Sequence, residues 1–168
     1  TLENPVELMN RIERFMKESD DGKYDVWDHF QQQQKLFSMR QTTNEEPIAW
    51  KKRFQRQGEL VKQQAGDDVF KTFMKSTKSY KALGGNKLRQ TEMQSNAYNM
   101  VMATGLLCNS DRKRTDRLIK DLREQYARGN DQYPKTIENA HNLLVVHQST
   151  MKPVKEIKQG TGLYQKGG

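Results

Sequence analysis

The sequence predicts an all-α fold of about seven helices in two small helical lobes. Three observations predict it. Apolar side chains recur at three- and four-residue spacing through most of the chain, and the alternation of a half-buried strand is almost absent. Helix start and stop signals punctuate this pattern at regular intervals. Apolar residues make up only 33% of the 168 positions and the mean hydropathy is −1.04. Any core is therefore thin, as in small lobes that gain stability from neighbours in an assembly. Charged residues reach 30%, but the helical periodicity argues against wholesale disorder.

The elements follow in order. Asn4-Pro5-Val6-Glu7 combines an N-cap residue, a proline at the first position and a glutamate at the third. Val6, Met9, Ile12, Phe15 and Met16 then fall on one face, and Asp20-Asp21-Gly22 stops the helix. Tyr24, Trp27, Phe30, Gln34 and Phe37 line the next helix, whose four-glutamine run reads as a polar helix surface. A helix over 45–64 carries Trp50, Phe54 and Val61 on one stripe. Thr43 or Asn44 is placed to cap it, Glu45 and Glu46 suit the positive end of its dipole, and Pro47 fits its first turn. Gly66 breaks it. Asp67-Asp68 opens a further helix with Val69, Phe70, Phe73, Met74 and Thr77, and Leu83-Gly84-Gly85-Asn86 is a turn.

A long helix is expected over 87–108, with Ala97, Met100, Val101, Thr104, Leu107 and Cys108 inward. Ser110 or Asp111 caps a basic helix lined by Leu118, Leu122 and Tyr126, and Gly129 ends it. After a loop at 130–133, Pro134 is expected to open a last helix with Ile137, Ala140, Leu144 and His147 inward. The organisation expected is 1–38 as the end of an N-terminal lobe, incomplete if helices precede it, 39–148 as a C-terminal lobe, and 149–168 as a flexible, basic, glycine-containing tail.

The most informative stretch is Met39-Arg40-Gln41-Thr42-Thr43-Asn44-Glu45-Glu46-Pro47-Ile48-Ala49-Trp50-Lys51-Lys52-Arg53-Phe54. Gln41 and Glu45 lie in a turn, and Trp50, Arg53 and Phe54 on the helix that follows. Gln41 can hydrogen-bond back to that turn, and Arg53 can reach Glu45 or Glu46 and lock turn to helix. This order resembles the major homology region of retroviral and retrotransposon Gag capsid proteins. It departs at Thr42, where a glycine is usual, and at Gly58, where an apolar residue is expected. Asn109-Ser110-Asp111 through Leu118, Leu122, Gly129-Asn130-Asp131-Gln132-Tyr133-Pro134-Lys135-Thr136 and on to Leu143-Leu144 is similar to the C-terminal part of copia-type Gag polyproteins. Asn4 to Leu8 and Leu36 to Gln41 also resemble those proteins. The similarity touches residues 4–148 and is loose over 67–95. It implies a capsid-like fold and a structural role: self-assembly into oligomers or particles that enclose the RNA of a mobile element. It implies that Gln41, Glu45, Trp50, Arg53 and Phe54 form a structural network. The zinc knuckle that often follows capsid in Gag is absent, lying either outside this chain or missing altogether.

Charge points the same way. The formal net charge is +8. From Lys51 to Arg89 there are eleven Lys and Arg against three acids, and Arg112-Lys113-Arg114 with Arg117 and Lys120 starts the basic helix. Such surfaces attract polyanions, above all nucleic acid. Bases at a helix N-terminus oppose its dipole, which suggests a use other than stability. Lys51, Lys52, Arg56, Arg112, Lys113, Arg114 and Arg117 are the candidate RNA contacts, by charge and not by base readout. The alternative is a basic helical nucleic-acid-binding or adaptor module without higher assembly.

Trp27, Phe30 and Phe37 are candidates for packing between lobes. The apolar side chains of the Leu118–Tyr126 and Ile137–Leu144 stretches are candidates for core, or for a lattice where exposed. The methionines read as core fillers. No catalytic residues, cofactor or metal ligands are proposed: the paired acids fall at helix ends, and His29, His141 and His147 lack helical metal spacing. The single cysteine, Cys108, is read as a buried packing thiol and points to an intracellular, cytoplasmic protein. No apolar run is long enough to span a membrane, so no membrane partner is expected. A chain that opens directly on a helix cap reads as a domain of something longer.

Overall fold

A computed structural model describes residues 4–20 and 24–150, and every regular element among them is a helix. In chain order these are α1 (Pro5–Asp20), α2 (Asp25–Ser38), α3 (Pro47–Ala65), α4 (Lys71–Ser76), α5 (Lys78–Lys81), α6 (Lys87–Ser95), α7 (Ala97–Cys108), α8 (Arg112–Ala127) and α9 (Ile137–Thr150). The all-α class is as expected. The nine helices among the described residues exceed the expected number because two long helical stretches are interrupted. Thr77 adopts an extended backbone, ends α4, and accepts the Tyr80 N–H on its Oγ1 to cap α5. The 87–108 stretch is interrupted at Asn96, and the preceding Ser95 hydroxyl donates to the Glu92 carbonyl.

Pro47 does open α3, but neither Thr43 nor Asn44 caps it; the cap position is Glu46, whose side chain makes no capping hydrogen bond. α9 begins three residues after Pro134, with Thr136 Oγ1 accepting the Asn139 N–H. It runs to Thr150, into the expected tail. Asp111 caps α8 through Lys113 N–H at 3.2 Å. The side chains of Phe15 and Met16, the Asp21-Gly22 stop and the tail beyond Thr150 lie outside the described residues.

One core joins α2 to α9. α7 packs along α9, α2 along α3, and α9 also meets α3 and α8. Trp50, Phe54 and Val61 from α3 meet Met102, Ala103, Leu106 and Leu107 from α7, with Leu118 and Leu122 from α8 and Ile137, Ala140 and Leu144 from α9. Leu36, fully buried, belongs to the same cluster. Packing therefore runs across the 38/39 boundary, and α2 is part of the lobe built on the motif helix. The face of α7 that meets the core carries Met102, Ala103, Leu106 and Leu107, which leaves Thr104 and Cys108 outward, so Cys108 is exposed and not a buried thiol. Tyr126 also leaves the core stripe: it is 52% exposed and meets Tyr133 edge-on at 5.8 Å.

Gly58 is explained by close approach. A Cβ there would meet the Met102 methyl and, at 2.6 Å, its sulfur, so the missing side chain lets α7 settle on α3. Gly105 does the same from the other side, where a Cβ would stand 2.7 Å from Phe54 Cζ. Both neighbours are buried and have little room to retreat. Gly105→Val is expected to cost about 1–3 kcal/mol by overpacking. In urea unfolding, the Gly105→Val/Phe54→Leu pair should be more stable than the sum of the single losses, because the second change opens the space the first fills.

Candidate functional site

The motif turn meets three elements at the corner between α7 and α8. Near its C-terminus a helix leaves carbonyls without partners, and the next helix begins with free N–H groups. Gln41 satisfies both. Its backbone N–H donates to Asn109 O at 2.9 Å, and its side-chain Oε1 accepts the Asp111 N–H at 3.0 Å. Its Nε2 donates to Glu45 O at 2.9 Å, across the turn. The same amide pairs reciprocally with Gln148 of α9, Nε2 to Oε1 at 3.0 Å and Oε1 from Nε2 at 2.8 Å. Gln41 and Gln148 are 5% and 3% exposed, so both amides are buried with these bonds made.

Two arginines hold the turn from its flanks. Arg53 donates to both Glu45 carboxylate oxygens, at 2.9 and 2.8 Å, and to Arg40 O at 2.7 Å. Glu45 also accepts the Thr42 N–H at 3.1 Å. Arg114, from α8, donates to Thr42 O and Glu45 O and pairs with Asp111 at 3.0 Å. Trp50 lies beneath. Its indole N–H donates to Leu106 O at 3.1 Å, which serves another open carbonyl of α7. The Arg53 guanidinium rests 4.8 Å above its ring. The Phe54 ring lies 5.2 Å from that of Trp50.

All five expected motif residues thus fall in one connected network. Sequence reasoning missed Gln148, Asn109 and the part played by Arg114. Gln148 was open to discovery: it stands one helical turn after Leu144 on the inward stripe of α9, where a polar side chain needs a buried partner.

The candidate RNA contacts divide. Lys52 and Arg56 are exposed one turn apart on α3, and Arg112, Lys113 and Arg117 are exposed on α8. Arg114 must be corrected: its guanidinium is bound to the motif turn, and it serves stability. Lys51 has a side chain only 18% exposed and pairs with Glu138 at 3.7 Å.

Compared with known proteins, the chain matches no family model, no curated protein and no solved structure.

Glu45 and His141 are among the titrating groups shifted by their surroundings. The hydrogen bond from Arg53 is the main cause that holds the Glu45 carboxyl below its usual range, helped by the Thr42 N–H. Burial lowers His141, and Lys51 adds to this against an opposing Glu138. Its Nε2 is enclosed with no hydrogen-bond partner. Both shifts have the same sign for stability: the folded state holds the proton less tightly than the unfolded chain, so stability falls as pH falls. The His141 part should fade below about pH 6.5 and the Glu45 part below about pH 4.3, the ordinary values of the two groups. Urea midpoints measured across pH should show the first step vanish in His141→Gln and the second in Glu45→Gln.

Gln41→Ala leaves the Asp111 N–H, the Glu45 carbonyl and the Gln148 amide short of partners in a buried place. A loss of about 1–3 kcal/mol is expected. A double-mutant cycle with Gln148→Ala, followed by urea unfolding, should give a coupling well above zero.

Proposed function

We propose that this chain is a structural Gag capsid-like protein that self-associates into oligomers or particles enclosing RNA. The observation that carries the reading is the network around Gln41. Motif residues that share a short stretch of sequence fasten one turn to the α7–α8 corner and to α9. A unit locked in this way presents its surfaces in fixed relation. Shells need that, because each contact is weak and strength comes from repetition in a constant geometry. The exposed bases Lys52, Arg56, Arg112, Lys113 and Arg117 supply attraction for a polyanion without base readout. Among the described residues no helix is long and apolar enough to cross a membrane.

The experiment is light scattering with negative-stain microscopy of the full chain across concentration and salt, with and without RNA. Rings, tubes, spheres or a salt-sensitive rise in mass support the reading. A chain that stays monomeric and still binds RNA favours a basic binding module instead. Charge reversal at Arg112 and Lys113 should weaken RNA binding. It should also flatten its salt dependence, by about 0.7 in the log–log slope for each phosphate of a single strand that is no longer neutralised. Arg114 is left intact in that variant because its removal would disturb the fold.

A further inference from the structure

Trp27, Phe30, Gln34 and Phe37 follow one another on α2 at spacings of three, four and three, the a and d positions of a helix seam. The seam is open. Trp27, Phe30 and Phe37 are 59, 63 and 48% exposed, and Gln34 is exposed as well. α2 meets α3 through a different face, where Leu36 is fully buried and Gln57 Nε2 donates to Gln32. At the C-terminal end of the seam, Phe37 contacts Phe70 edge-on and opens into an apolar groove of about 430 Å³. Phe73 and Met74 of α4, Met93 of α6, and Met100 and Val101 of α7 line it.

Charge runs in opposite senses at the two ends. The first turn of α2 carries Asp25 and Asp28, and no Lys or Arg occurs from Tyr24 to Gln34. The segments that wall the groove carry Lys71, Lys75, Lys78, Lys81, Lys87 and Arg89, with no acid between Val69 and Thr91. The acidic aromatic end and the basic apolar end therefore complement each other. They cannot meet within one chain: Trp27 and Phe37 are ten residues apart on a single helix, about 15 Å along its axis.

We infer that α2 pairs antiparallel with α2 of a second copy of this chain. Trp27 lies against the partner's Phe37 at the mouth of its groove, and Phe30 lies against the partner's Gln34. The arrangement is two-fold, so the complementary charge contact is made twice and the surface closes on itself. The pairing deepens the self-association reading above and rests on it for its role: it would be one of the repeated joints of the assembly. An apolar seam at a/d spacing that faces water has the form of an unfilled helix–helix contact.

The test uses sedimentation of the full chain, then oxidative cross-linking in a Cys108→Ser background. The wild type is expected to dimerise reversibly, and more weakly as salt rises. Phe30→Asp should raise the dimer dissociation constant at least tenfold with an unchanged helical circular dichroism spectrum. Phe30→Cys mixed with Gln34→Cys should give a disulfide dimer in high yield, whereas either variant alone should give little. A wild type that is monomeric throughout overturns the inference, as does a Phe30→Asp dimer as tight as the wild type. Efficient cross-linking of Gln34→Cys with itself reports a parallel pair and also overturns it. A wild-type dimer that Phe30→Asp abolishes but that never grows into larger species sinks the shell reading and leaves the α2 pairing standing.

Discussion

The buried amide of Gln41 is the constraint on which the rest of the structure depends. One side chain makes four hydrogen bonds, two of them to another glutamine 107 residues away. Buried polar groups are favourable only when fully partnered, and then they select one arrangement over its competitors. Here the arrangement selected is the angle between α7 and α8, the docking of the end of α9, and the path of the turn into α3. Trp50 reinforces it by filling the core while bonding a carbonyl at the end of α7. Polar satisfaction and apolar packing converge at the same corner.

That convergence explains how a thin core suffices. The apolar cluster is modest, and several large side chains remain exposed. The corner adds specificity where burial is limited, and the two arginines tie surface turns to it. Arg114 illustrates how charge is divided in a basic protein. It stands in a run with Arg112 and Lys113, but its guanidinium is held by two carbonyls and a carboxylate while its neighbours face solvent. A basic run in sequence is thus not one surface. The bases that remain exposed are those the proposed RNA contact draws on.

Much of this was legible in the sequence. Helical periodicity and the Asp111, Gly66 and Gly129 signals placed most elements, because these are local effects. The motif residues were legible because their spacing fixes a turn followed by a helix. Three things were not legible. Which face of α7 meets the core is set by its packing on α9 and α3, and that decides whether Cys108 faces core or solvent. The pairing of Gln41 with Gln148 is long-range, and one inward glutamine does not name its partner. The membership of α2 in the main core depends on Leu36, a residue that by itself fits either lobe.

Native-state hydrogen exchange at the Asp111 amide tests the central claim most directly. This N–H is bound by the Gln41 side chain. If the corner organises the fold, the amide exchanges only when the whole protein unfolds, with the protection of core amides in α7. Exchange through local opening, with a free energy far below the global value, would contradict the account and reduce Gln41 to a loosely held turn residue.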